Sequence, residues 1–598
     1  MAESPLKSGV DNPTLTVKVG GSPLKDKHLI VEVEVEKFVN RVATATLVML
    51  LPHGESEKET FESSESDDFV PGKEITISAG YHSNEETIFS GIIVNHGIQV
   101  GSDRGNVLVI RCSDKSCKLT LGRKNAYYKD KKDSDIITEL VKKVGLSAEV
   151  DATTNQHKQI VQYHAVDWDF VQARAEANGL LVYYEDDKLQ VKKPTTFEES
   201  GLSVDYSQDV ISFEGQIESR FQMPKVTAHS WDMKKQALAE GASAEPTINA
   251  QGDLTGKKLS EVLGLSDYEI HSTGPIDKAV LKSWADATLL KARLASLRGR
   301  VSFVGSSKPK INTLLELKGF GKRFNGKALI TGVWHKLKAG QWRTTVQFGL
   351  PPDWYVDRPD LSTPVAAGLL PAIRGLQNGT VKKIHQDDDG EHRIQVDVPV
   401  IAPSGDGIWA RLAQFYATSS QKGAFFLPEV GDEVVLGFLN DDPRYPVILG
   451  MLYSSKNAPP YTADQKNSIK AIVTKNDLKL EFDDDQKVLT AQTPGGNKMI
   501  LSDKDKSITI QDQNGNKIEM AAAGITISSA KDITLKATGK IAVQANLDIG
   551  IKATTDLNLE GLNVNGKAQL AFSAQGTATA ELKSTGNTSV KGLMVMIN

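Results

Sequence analysis

The sequence predicts a mainly β protein that ends in a trimeric β-helix, a triangular prism, and three observations carry that prediction. From Ile525 onward the chain runs in steps of eight. Ile525, Ile533, Ile541, Ile549 and Leu557 begin successive steps, and Ile527, Leu535, Val543, Ile551 and Leu559 follow two positions later. Apolar residues at i and i+2, with small or polar residues between, give the alternation of a strand with one dry face. Short alternating segments such as VEVEVEKFV (31–39) and EITISAGY (74–81) recur through the first third of the chain. The composition agrees: 49 glycines and an aromatic fraction of 6% suit a β-rich chain with many turns.

The octads set the architecture of the C-terminus. Ala-Thr-Gly-Lys, Ala-Asn-Leu-Asp and Ala-Thr-Thr-Asp separate the strands and suit tight corners. After Gly561 the pattern shifts phase and resumes as Leu562/Val564, Leu570/Phe572, Ala578/Ala580 and Met594/Met596. Two core residues per octad cannot shield themselves, so octads must enclose a shared core. Wound as three-sided coils of one chain, about nine octads give a stub of roughly 15 Å with open edges at both ends. With three chains each supplying one side, they give about nine layers and a shaft on the order of 45 Å. Full burial of an Ile or Leu contributes about 1.5–3 kcal/mol, so the ten positions from Ile525 to Leu559 offer roughly 15–30 kcal/mol per chain before chain entropy. An isolated chain loses most of that, so the tail is expected to be an obligate homotrimer.

Charge and cysteines narrow the function classes. Of the 598 residues 24% are charged, both signs are scattered, and the net charge is -5, which is not the basic footprint of a nucleic-acid binder. The start, MAESPLKSGVDNPTLTV, has no apolar signal-like region, and no run approaches 18 apolar residues. The expectation is a protein made in the cytoplasm that, if it leaves the cell, is carried by something other than a signal peptide, with no stable membrane insertion. Cys112 and Cys117 in RCSDKSCKLTL have no neighbouring His or Cys to complete a metal site, and read as reduced structural cysteines.

Taken in order, strands are expected at 31–39, 43–51, 74–81, 87–100 and 106–112, with the acidic, Ser-rich stretch 57–68 as a solvated surface loop. Ser134 is expected to cap a helix with Ile136, Ile137, Leu140, Val141 and Val144 on one face, ending at Gly145. Asp167 is expected to cap a second, WDFVQARAEA, ended by Gly179. A third is expected from Asp277 to Arg298, stopping at Gly299. Strands resume over 300–305 and 341–350. A Pro/Gly linker (357–372) precedes a compact β segment (376–453), and hairpin-like strands with turns DDDQ, PGGN and DQNGN (478–520) lead into the octads.

Two stretches carry a family resemblance. QYHAVDWDFVQARAEANGLLVYY (162–184) resembles the hub segment of the valine-glycine repeat protein G (VgrG) of type VI secretion, and GFGKRFNGKALITGVWHKLKAGQWRTTVQF (319–348) looks like the last part of the same hub. WARL followed by PEVGDEVVLGFLNDDPRYPVILG is similar to the signature of the small OB-type barrel at the neck of such spikes. The resemblance implies a hub of tandem β-barrel domains with a few helices over residues 1–365, an OB-type β-barrel neck over 366–455, and a linker with an intertwined β-helical needle over 456–598. It also implies partners: a hexameric tail-tube protein behind, a PAAR-type tip protein in front, baseplate proteins and effector cargo.

No stretch demands catalysis. Gly321-Lys-Arg-Phe-Asn-Gly326-Lys327 fits GxxxxGK, but Ala328 stands where a Ser or Thr would hold magnesium, and a strand follows instead of a helix. Asp387-Asp388-Asp389 with Glu391 lacks the EF-hand pattern and reads as a hairpin turn at Gly390, flanked by His385 and His392 on different strands. There is no GxSxG and no HExxH. No catalytic residue, metal or cofactor is expected. The expected function is a structural spike that links tail tube to tip protein and pierces a target envelope. The alternatives are a phage-like spike with a cell-wall hydrolase, which would need a further domain of about 100 residues, and an OB-type nucleic-acid binder, which the acidic turns DDDGE and GDE oppose. Leu593, Met594, Val595, Met596 and Ile597, followed by the polar Asn598, end the chain on an apolar strand, expected to bind the tip protein or close the last core layer.

Overall fold

The structure, a computed structural model, describes residues 2–6, 11–51, 61–101, 105–197, 200–402 and 405–597. It divides into two compact units, Met1–Leu452 and Tyr453–Asn598; Asn598 itself and residues 57–60 of the acidic stretch lie outside the described residues.

The first unit is built on one sheet of thirteen strands that serves two hydrophobic cores. The alternation of VEVEVEKFV explains how. In the strand Ile30–Phe38, Val33 and Val35 are fully buried, while Glu32 on the opposite face pairs with Lys336 and Lys338 of the neighbouring strand at 2.9 and 2.7 Å. With Leu47, Met49, Ile75, Ile77, Phe89, Leu108 and Ile110 these valines fill the first core. The second holds Val204, Val301, Phe303, Leu315, Val346 and Phe348. The long strand Gly326–Lys338 joins them: it pairs with Ile30–Phe38 on one side and Gln341–Phe348 on the other, and gives Leu337 to the first core and Leu329, Ile330 and Val333 to the second. Gly332 in that strand lies against Phe38; a Cβ there would sit 2.2 Å from the ring, so no larger residue fits without movement. Beside this junction His335 is wholly buried, its Nδ1 3.0 Å from Thr344 Oγ1, and burial pushes its pKa down to about 3.

Three helices of the first unit correspond to the expected ones, with shifted ends. The first spans Asp133–Lys143 and begins one turn position before Ser134, whose N–H is taken up by Thr153 Oγ1. Asp133 is buried and clamped by Arg174 at 2.7 and 3.0 Å, which ties this helix to the second, Asp167–Glu176. The third spans Lys278–Ala295, not Asp277 to Arg298: Leu297 and Arg298 belong to the strand Leu297–Val304, where they pair with Ile217 and Gln216. Ladder hydrogen bonds to a distant strand override the helical spacing of the leucines there. The acidic stretch is less detached than expected at its described end. Asp67–Phe69 forms a short helix that seats Phe69 in the first core against His28, with ring centroids 4.9 Å apart, and Ser63 is buried 3.0 Å from His28 Nδ1.

A five-stranded closed barrel follows: Gln377–Lys383, Ile394–Asp397, Ile408–Leu412, Pro446–Met451 and Glu433–Phe438 in that order around it. Val381, Ile394, Val396, Val434, Leu436 and Ile448 fill it. The acidic turn is a closed local structure. Asp387 accepts from the backbone N–H groups of Glu391 and Arg393 and from the Arg393 guanidinium, which holds its carboxyl far below the ordinary range. His385 and His392 both lie in the loop and not on strands.

The second unit opens with a seven-stranded antiparallel meander, Ile469–Val473 through Gly524–Ser528, each strand of five residues paired with the next. Asp512 closes its last polar turn by accepting from the N–H groups of Asn514 and Asn516 at 2.9 and 2.8 Å. Beyond Ser528, among the described residues, no further strand is formed within the chain.

Candidate functional site: an uncovered apolar ladder

The register of the meander places its apolar residues in two columns. Ile472, Leu480, Ala491, Met499, Ile510, Ile518 and Ile527 face one another from strand to strand in one column; Phe482, Leu489, Leu501, Ile508, Met520 and Ile525 do so in the other. Since side chains two apart share a face, both columns lie on the same side of the sheet. The usual order of burial is inverted. Met499, Leu501, Ile508 and Ile510 are exposed, whereas Ser502 and Thr509 on the opposite face are buried. A face of this kind, two residues wide and seven strands long, is apolar surface awaiting a cover.

Ile525 and Ile527 end those columns and begin the octads. Of the ten positions expected to form the needle core, only these two are in a paired strand of the chain. The other eight lie in an extended run that bends at regular intervals: 530/531, 538/539, 546/547 and 554/555, then 561/562, 569/570, 577/578 and 585/586, with a last bend at 593. The step is eight residues except at Gly561, where it is seven. Ile533, Ile541, Ile549 and Leu557 sit two residues past each bend pair and are 52–55% exposed; Leu535, Val543, Ile551 and Leu559 sit four past it and are 68–75% exposed. This constancy makes the run a repeating conformation with one face presented alike in every step. After Gly561 the phase differs from the one read in the sequence: Leu562 and Leu570 are bend residues and fully exposed, while Val564 and Phe572 take the positions two past the bends. Among the described residues, 530–597 make no backbone–backbone hydrogen bond within the chain. Some seventy residues of polar backbone with bulky apolar side chains at fixed intervals have partners to find elsewhere.

The terminal residues Leu593, Met594, Val595, Met596 and Ile597 are all exposed. Sequence reading singled out the octads but missed the two-column face before them, although its signal was present: Leu480/Phe482, Met499/Leu501, Ile508/Ile510 and Ile518/Met520 carry the same i, i+2 pair. The Gly321–Lys327 segment is a turn leading into the strand Gly326–Lys338, with the Phe324 N–H on the Gly321 carbonyl. Among the described residues no group of three or more His, Cys, Asp or Glu is gathered as for a metal ion, and no helix is long and apolar enough to cross a membrane. Cys112 is buried, its thiol pushed up to about 12 by burial, and both cysteines are free.

Beside the thirteen-stranded sheet, the closed barrel and the uncovered repeat, the comparisons with known proteins place the chain among spike proteins. The family model for the Alg8 N-terminal domain matches residues 9–339, more than half the chain. The models for the type VI secretion system/phage-baseplate injector OB domain and the phage baseplate V C-terminal trimerisation domain match 377–453 and 487–568. The chain belongs to the Alg8 N-terminal domain family, and its other matches are those of a VgrG-type spike protein. It is 20% identical over 421 residues to the type VI secretion system spike protein VgrG1b of Pseudomonas aeruginosa, a match spanning 66% of this chain and 55% of that one. It is 32% identical over 106 residues to VgrG3 of Vibrio cholerae, or 17% and 10% of the two chains. The chain thus spans about half the length, at most, of these curated relatives. A prophage 43 kDa tail protein from Shewanella oneidensis aligns over 57% of this chain and 98% of its own with a TM-score of 0.43 and 12% identity.

Proposed function

We propose that three copies of this chain form the puncturing spike at the tip of a contractile injection machine. Hubs of residues 1–365 ring the end of a hexameric tail tube, barrels of 366–455 form the neck, and residues 456–598 form the needle. One observation carries the reading: the bends at eight-residue intervals hold Ile533 to Leu559 in one repeated, uncovered arrangement in a stretch that also matches a trimerisation domain. Three such chains bury the repeated face in a common core and pair every backbone group around the shaft, which resists bending and leaves no sheet edge. The mechanism is force transmission, with sheath contraction driving the shaft and no bond chemistry in the spike itself.

In this reading three copies of Leu593, Met594, Val595, Met596 and Ile597 form a flat apolar platform that seats a PAAR-type tip protein, with baseplate proteins and effector cargo as further partners. The assembly forms in the cytoplasm and leaves the cell as part of the particle. Removing residues 593–598 tests this. The truncated protein is expected to remain a trimer by light scattering yet lose its tip protein in a pull-down. Capture of the tip at full affinity would show that the platform only closes the last core layer, and a monomeric full-length protein would sink the spike itself.

A further inference from the structure

The single seven-residue step at Gly561 divides the repeat into two stretches of different composition. Positions two and four past the bends hold Ile533/Leu535, Ile541/Val543, Ile549/Ile551 and Leu557/Leu559 before it, a bulky apolar pair each time. The same count after it gives Val564/Gly566, Phe572/Ala574, Ala580/Leu582 and Thr588/Val590. Every octad beyond Gly561 therefore offers one bulky apolar side chain where the earlier ones offer two, with glycine, alanine or a hydroxyl in place of the other. The leucines that would restore the count, Leu562 and Leu570, stand at bends and are fully exposed in the single chain, where Val564 and Phe572 are 64% and 77% exposed.

Accepting the trimer proposed above, we infer that the shaft is built in two blocks meeting at a register fault at Gly561, and that the distal block, residues 562–590, opens before the proximal block, residues 529–560. The physical basis is packing. Three chains lose one bulky side chain each per layer, and a core that cannot collapse to fill the space keeps the loss as void. Thr588 adds three hydroxyls at one level of an otherwise apolar axis, each needing a partner there. The fault compounds this, because a one-residue change of step interrupts the stacking of equivalent positions at that level. Regions with less buried apolar contact open at lower free energy than the rest of a structure. The needle is thereby graded along its length, firm near the meander and looser towards its end.

Hydrogen–deuterium exchange on the full-length protein, with its mass checked by light scattering in the same sample, tests the inference. Amides of residues 562–590 are expected to exchange at least about tenfold faster than those of 533–559. Thr588→Val should slow exchange in the distal block, since it removes the axial hydroxyl at constant volume, and Leu562→Ser, at a corner, should leave it unchanged. Equal protection of both blocks in an intact trimer overturns the inference. So does acceleration by Leu562→Ser with no response to Thr588→Val, which would put the leucines inside. A monomeric sample is the separate failure, that of the trimer, and takes this inference with it.

Discussion

Replacing Ile541 by aspartate is the sharpest probe of the repeat. In the single chain Ile541 is 54% exposed, so roughly half of its burial remains for partner chains to supply. Against a full burial of about 1.5–3 kcal/mol, that half is worth about 1 kcal/mol per chain and about 3 kcal/mol per trimer. The carboxylates matter more. Three of them brought near one axis each meet a desolvation penalty of several kcal/mol and repel one another, so the variant trimer should be destabilised by on the order of 10 kcal/mol. Lys540, one residue earlier and exposed, supplies the control: Lys540→Glu changes a surface charge and should move stability by no more than about 0.5 kcal/mol. Light scattering over a concentration series and thermal unfolding read both. Ile541→Asp should dissociate at concentrations where wild type and Lys540→Glu remain trimeric. Equal behaviour of the two variants would refute the assignment of faces in the octads, and with it the shared core.

The remaining expectations concern the meander and the hub. Leu501→Asp, in the middle of the two-column face, should weaken the trimer while Lys504→Glu in the adjacent turn should not; sheet-face burial by partner chains fails if both are silent in the concentration series. In the hub, two buried groups tilt stability with pH in opposite directions. Desolvation outweighs the N–H and hydroxyl donors around Asp114 and raises its carboxyl to about 6, so from about pH 4 to 6 the native state holds the extra proton and stability falls as pH rises. His335, held neutral down to about pH 3, does the reverse: below pH 6.5 the unfolded chain takes the proton, and stability rises with pH. Asp114→Asn should therefore steepen the rise of hub melting temperature between pH 4 and 6, and His335→Gln should flatten or invert it. Unchanged slopes in both variants would mean neither group carries the linkage.

What the sequence made legible was whatever is written in a short repeat. The octads needed no tertiary information, because Ile525 to Leu559 hold one spacing over five steps, and the bends recur at that spacing. The ends of the hub helices were not legible for the opposite reason. Leu297 continues the leucine pattern of the helix Lys278–Ala295, yet its backbone pairs with Ile217, eighty residues away. Phe69 lies beside a run of acids and serines that reads as solvated, and only the fold reveals that His28 waits for its ring. The phase after Gly561 misled because Leu562 and Leu570 are bulky apolar residues standing two before Val564 and Phe572, and size alone does not tell a corner from a core. The columns of the meander were missed for want of register: each i, i+2 pair is ordinary by itself, and only the pairing of seven strands aligns them.

The contrast between the self-paired meander and the unpaired run after it bears on how the assembly is made. Residues 469–528 pair their strands within the chain, whereas among the described residues none after Ser528 makes a backbone–backbone hydrogen bond within it. Three unstructured tails meeting by chance would be a termolecular event, slow at cellular concentrations and exposed to mispairing. Three meanders that first dock through their apolar faces turn the rest into an intramolecular process, with each tail held at high local concentration beside the other two. In the proposed trimer, closure would then run as a zipper from Ile533 towards the terminus, one octad at a time. Each layer closed sets the register of the next, so the rate of needle formation should follow the docking of the meanders and depend little on the number of octads beyond them.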